Sequence, residues 1–191
     1  MLRSLLLYVW ISCLALAEAQ AKGPTPDAVL AELKAGNQRH VGTQYKPNNH
    51  KPVARRVELA TGQRPGAIVL SCADSRVPPE IVFDQGLGDL FAVRVAGNIV
   101  EDFGVGSIEY AAEHLGSKLI VVLGHERCGA VEQSKDMPGD KLDNAVMTNV
   151  RLAVEQLKKS QPILAGMIGH GKIKIAGARY DLDTGVVTWL E

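Results

Sequence analysis

Leu119-Ile-Val-Val-Leu123 is apolar at every position, and a strand of that texture has no face to turn to water. Strands of half-exposed sheets alternate polar and apolar residues; an unbroken run requires cover on both sides. Ala67-Ile-Val-Leu-Ser71 has the same character, and Leu90 to Val95 reads as a further strand. Between and after these runs the spacing turns helical. Val105 to Leu115 is one such stretch, and Asn144 to Ser160 is a long amphipathic one with Val146, Val150, Val154 and Leu157 on a single stripe. Ile173 to Ala176 and Val186 to Leu190 add two late strands around the turn Asp183-Thr184-Gly185. The expected class is therefore α/β, a mostly parallel β-sheet flanked by helices.

Ahead of the first strand, Thr25-Pro26-Asp27 reads as a helix start, with a capping hydroxyl, a proline in the first turn and a carboxylate at the positive end of the dipole. The helix is expected over Ala28 to Ala35, with Gly36-Asn37 ending it. Thr43 to Lys51 is polar and turn-rich, an extended arm, and Val53 to Thr61 forms a short helix stopped by Gly62. At the extreme N-terminus, Arg3 precedes the apolar run Leu5 to Ala17, which is shorter than the about 20 residues of a spanning helix. Ala17-Glu18-Ala19 fits a signal peptidase site. Residues 1–19 are thus expected to be a signal peptide cleaved after Ala19, giving a periplasmic or secreted protein without stable membrane insertion. Residues 20–52 would be the N-terminal helix and arm, and 53–191 a single α/β domain that carries the chemistry. The chain's 21 Lys and Arg balance its 21 Asp and Glu, so net charge gives no pull toward nucleic acid or anionic lipid.

The chemistry is concentrated at two strand ends. Of three cysteines, Cys13 lies in the leader. Cys72 follows the first strand in Ser71-Cys-Ala-Asp-Ser-Arg76, and Gly124-His-Glu-Arg-Cys-Gly129 follows the strand ending at Leu123. In open α/β sheets, ligands collect beyond the carboxyl ends of the strands, so these segments can meet at one edge. Two thiolates and an imidazole suit zinc first. In an oxidising compartment the same two thiols could instead close a disulfide.

Cys-x-Asp-x-Arg combined with His-x-x-Cys resembles the β-class carbonic anhydrases. The resemblance runs from about Thr25 to the C-terminus through Gly62-Gln-Arg-Pro65, Arg94-Val-Ala-Gly-Asn98, Gly106-Ser-Ile-Glu-Tyr110 and the segment Gly177 to Gly185. It implies one zinc ion per chain on Cys72, His125 and Cys128. Asp74 would bind the fourth position in a closed, resting form and otherwise leave it to water, with Arg76 holding the carboxylate off the metal. The implied reaction is reversible hydration of carbon dioxide to bicarbonate and a proton by zinc-bound hydroxide. Gln63 would orient bicarbonate, Gly129 would keep the space beside the metal clear, and Asn98 would support the nearby loop.

The same resemblance implies a homodimer or tetramer, with the N-terminal helix reaching over the partner. His40, His50, His114 and His170 are read as solvated, and Tyr110 and Tyr180 as packing or interface residues. The stretch after Glu132 is shorter than the family pattern. A zinc-holding relative without catalysis therefore stands as an alternative, as does hydrolysis of carbonyl sulfide or carbon disulfide on the same scaffold. Dinucleotide binding is excluded at the first strand, which no Gly-x-Gly-x-x-Gly follows.

Overall fold

The computed structural model describes residues 23–47, 53–135 and 140–190. The expected leader and the end of the arm, residues 48–52, lie outside them. The chain runs α1 (Pro26–Val41), α2 (Val53–Leu59), β1 (Ala67–Ser71), α3 (Pro79–Val82), β2 (Leu90–Arg94), a short 3-10 turn (Ala96–Asn98) and α4 (Asp102–Glu113). It continues β3 (Leu119–His125), α5 (Gly129–Lys135), α6 (Asp140–Lys159), α7 (Ile163–Gly169), β4 (Lys174–Tyr180) and β5 (Val187–Leu190). The strands form one sheet in the order β2-β1-β3-β4-β5. All neighbours are parallel except the β4–β5 pair. Among the described residues, no helix is long and apolar enough to cross a membrane.

The unbroken apolar runs are explained by what covers them. Ala67 and Val69 of β1, with Leu119, Val121 and Leu123 of β3, turn to one face and pack with Val29 and Leu33 of α1. Ile68, Leu70, Ile120 and Val122 turn to the other, against Ile108 and Ala111 of α4 and Val150, Ala153 and Leu157 of α6. β1 and β3 are each buried on both sides, as their lack of alternation requires.

Gly36 and Asn37 do not end α1, contrary to the sequence expectation. A Cβ at Gly36 would lie 1.8 Å from the Phe83 carbonyl oxygen, so the glycine serves close packing of α1 on the segment after α3. The Asn37 amide is spent on tertiary contacts: Nδ2 donates to the carbonyls of Val82 (3.1 Å) and Gly185 (2.8 Å), and Oδ1 accepts from Val187 N–H. With its side chain engaged there, Asn37 does not compete for the helix backbone.

Two more glycines act the same way. β3 continues through Gly124 to His125, and β4 through Gly177 to Tyr180, both beyond their expected ends. A Cβ at Gly124 would meet Val150 Cγ2 at 2.6 Å, and one at Gly177 would meet Val150 Cγ1 at 3.0 Å. Both positions let α6 settle onto the sheet beside the strand ends, where the chemistry lies.

Candidate metal centre

β1 and β3 pair in parallel with Ser71 opposite Leu123, so both chains leave the sheet at one edge. Cys72 is the first residue beyond β1, His125 is the last of β3, and Cys128 follows a tight connection in which Arg127 takes φ 48°. The ligand atoms of Cys72, His125 and Cys128 all lie within 4.8 Å of one another, and all three residues are buried. The two sulfurs are 3.9 Å apart and the cysteines are free. A disulfide would need about 2.05 Å. Two sulfurs at about 2.3 Å from a tetrahedral zinc stand about 3.8 Å apart.

The histidine is prepared for ligation. Its Nδ1 lies 2.8 Å from the Glu126 carbonyl oxygen, which can only accept, so Nδ1 carries the proton. Nε2 is therefore a bare lone pair, buried and without a hydrogen-bond partner. A buried acceptor left unmade is costly, and a cation between the sulfurs would satisfy it. Burial also pushes the His125 pKa down, which favours the neutral, ligating form. The donor set fits zinc: two thiolates, one imidazole with a fixed tautomer, and a fourth direction not filled by these three.

Both sulfurs are met by backbone N–H groups. Gly97 donates to Cys72 Sγ at 3.3 Å. Burial pushes the Cys128 thiol up, and the N–H groups of Val131 and Ala130, in the first turn of α5, oppose that by favouring thiolate.

Asp74 lies in the loop beyond Cys72, with Oδ2 3.8 Å from His125 Nε2. Arg76 grips it twice through its side chain, Nε to Oδ1 at 2.9 Å and Nη2 to Oδ2 at 2.7 Å, and once through its own backbone N–H at 2.9 Å. This bidentate pair holds the Asp74 carboxyl well below the usual carboxylate range. Arg94, to which the sequence analysis gave no role, spans the loop from β2: its Nε donates to the Cys72 carbonyl at 3.1 Å and its Nη2 to the Asp74 carbonyl at 2.6 Å. Glu126 is a second unassigned support, with its carboxylate taking the Leu182 N–H at 2.7 Å and Arg179 at 3.3 Å.

The remaining sequence candidates fall out differently. Gly129 is exposed, and a Cβ there would meet no protein atom within 4 Å, so packing does not demand the glycine. Asn98 is buried at φ 44° beside the metal group, and its Nδ2 has no partner. Gln63 is not brought to the metal group at all. It is exposed before β1, around a surface hollow with Arg56, Leu59, Leu87 and Gly88. The rise of β1 alone separates that end of the sheet from Cys72 by about 13 Å. His40, expected to be solvated, is half-buried between Tyr45 Oη (2.7 Å) and Tyr180 Oη (3.1 Å), and so pins the arm to β4.

The family model described as carbonic anhydrase matches residues 67–145. Carbonic anhydrase 2 of Mycobacterium tuberculosis is 37% identical over 189 residues, covering 84% of this chain and 90% of that protein. A carbonic anhydrase of Mycolicibacterium smegmatis is 51% identical over 108 residues, covering 56% of this chain and 52% of that one. Among solved structures, the β-carbonic anhydrase of Coccomyxa in complex with acetazolamide matches at a TM-score of 0.66 and 28% identity, over 73% of this chain and 78% of that one.

Proposed function

This chain belongs to the β-class carbonic anhydrase family, and we propose that it catalyses the reversible hydration of carbon dioxide at a single zinc held by Cys72, His125 and Cys128. The observation that carries this reading is the buried, partnerless Nε2 of His125 beside two sulfurs set 3.9 Å apart. When bound, zinc supplies an open coordination position at which water becomes a nucleophile near neutral pH.

The chain's own residues do the rest. The Glu126 carbonyl fixes the His125 tautomer, and the N–H groups on both sulfurs moderate the charge of the thiolates. Asp74, kept ionised and oriented by Arg76, accepts a hydrogen bond from water entering beside the ligands and points its lone pair outward. The same grip stops Asp74 from taking the fourth position, the closed form that the family resemblance implies.

Gln63 can serve this site only from a second copy, which accords with a homodimer or tetramer. Exposed Phe103, Ile99 and Tyr110 provide apolar surface for such contact. A leader over residues 1–19 would deliver the protein to the periplasm or outside, and N-terminal sequencing of exported protein should then begin at Gln20. The enzymatic reading is tested by stopped-flow hydration with the zinc-loaded protein against a free-zinc control. Carbonyl sulfide and carbon disulfide are the comparison substrates. Stoichiometric zinc without hydration would instead mark a zinc-holding relative.

A further inference from the structure

The hydrogen bond on Cys72 has a support of its own. Gly97 donates its N–H to Cys72 Sγ at 3.3 Å, and its carbonyl accepts from Asn149 Nδ2 at 2.8 Å. Gly97 adopts φ 73°, ψ 14°, followed by Asn98 at φ 44°, two successive left-handed residues. Glycine enters this region freely and asparagine more readily than most residues, so the sequence permits the turn without locking it. Fixing the Gly97 carbonyl limits rotation about the residue and keeps its N–H on the sulfur.

Asn149 is well placed to do this. It projects from α6 between Val146 and Val150, which are 1% and 0% exposed, so its amide is anchored to the packed core. Two turns along the same helix, Gln156 Nε2 donates to the Val100 carbonyl at 3.3 Å. α6 thus clamps the loop after β2 at two points. The Asn149 clamp leads directly to a metal-facing sulfur, and the Gln156 clamp does not.

We infer that Asn149 is a positioning residue of the metal centre, holding Gly97 so that its N–H stays on the Cys72 thiolate. The inference rests on Cys72, His125 and Cys128 being the ligand set. Zinc with two thiolates is formally neutral and polarises water less than zinc on three imidazoles. An N–H···S bond draws charge from sulfur and restores part of that polarising power. The site therefore depends on a side chain that touches neither metal nor substrate.

Cobalt is the probe, added to the metal-free full chain under reducing, anaerobic conditions. The readouts are the thiolate-to-cobalt charge-transfer band and affinity by chelator competition. Wild type should show the band. Asn149→Leu should shift it to lower energy and weaken cobalt binding about ten-fold. Asn149→Gln, which keeps a donor, should recover part of both effects, and Gln156→Leu should leave the band in place. Asn149→Ala repeats the comparison if Asn149→Leu does not fold. An unmoved band in the Asn149 variants, or an equal shift in Gln156→Leu, overturns the inference. Absence of a thiolate band in wild type instead overturns the ligand set itself, and the inference with it.

Discussion

Gln63 and Cys72 flank opposite ends of strand β1, the one before Ala67 and the other directly after Ser71. A family role at the substrate and a position at the far end of the sheet agree only if two chains share each site. Mixing two inactive variants tests this. Gln63→Ala keeps its ligands, and Cys128→Ser keeps its glutamine. A mixed dimer contains one site with wild-type ligands and a wild-type Gln63 across the interface. Hydration by the co-refolded mixture should exceed that of either variant alone, up to about a quarter of wild type for random pairing. No gain over the separate variants would place Gln63 outside catalysis.

Arg76 binds Asp74 through three donors, and its side chain is half exposed, so its loss leaves no cavity. Arg76→Ala should therefore fold and bind zinc normally while its hydration rate at neutral pH falls by about ten- to a hundred-fold, the usual range for a misplaced proton-handling group. Rates equal to wild type at equal zinc content would make the pair structural only.

Gly36 has no space for a side chain, because the atom it would strike is a backbone oxygen rather than a movable methyl. Gly36→Ala should lower stability by about 3 kcal/mol, at the upper end for overpacking. Gly124→Ala, whose Cβ would strike the end of the Val150 side chain, should cost less because that side chain can shift. Urea midpoints measured on metal-free protein give both values, and the reverse ranking would contradict the packing account.

Asp181 takes hydrogen bonds from the N–H groups of Asp183 and Thr184 and from the Thr184 hydroxyl, and those from Thr184 lower its pKa most. A depressed carboxylate adds stability that is fully present above its unfolded value of about 3.9 and is lost as pH falls through the folded value. The stability gap between wild type and Asp181→Ala should thus stay constant from about pH 7 to pH 5 and close below about pH 4. A gap that widened in acid would mean the carboxylate is not stabilised by the turn.

The sheet was legible because its evidence is local. Leu119 to Leu123 and Ala67 to Ser71 name doubly buried strands by composition alone, and the ligand motifs sit where those strands stop. Glycine was the weak point. Gly36, Gly124 and Gly177 look like breaks in sequence, yet each lies inside an element and admits a neighbour 26 to 47 residues away. Sequence carries the absence of a side chain without the partner that needs it. The supports of the site were hidden for a related reason. Gly97 reaches sulfur through its backbone, Arg94 reaches two carbonyls, and Asn149 reaches Gly97 across 52 residues. Backbone groups have no residue identity to read.

In the proposed function, Cys72, His125 and Cys128 hold a zinc that turns over carbon dioxide. The most direct measurement is the stopped-flow hydration rate at neutral pH alongside zinc content, for wild type and Cys128→Ser. Wild type should carry about one zinc per chain and hydrate carbon dioxide far faster than free zinc, and the variant should lose both. A wild-type protein carrying one zinc per chain, yet hydrating carbon dioxide no faster than free zinc, would contradict that function.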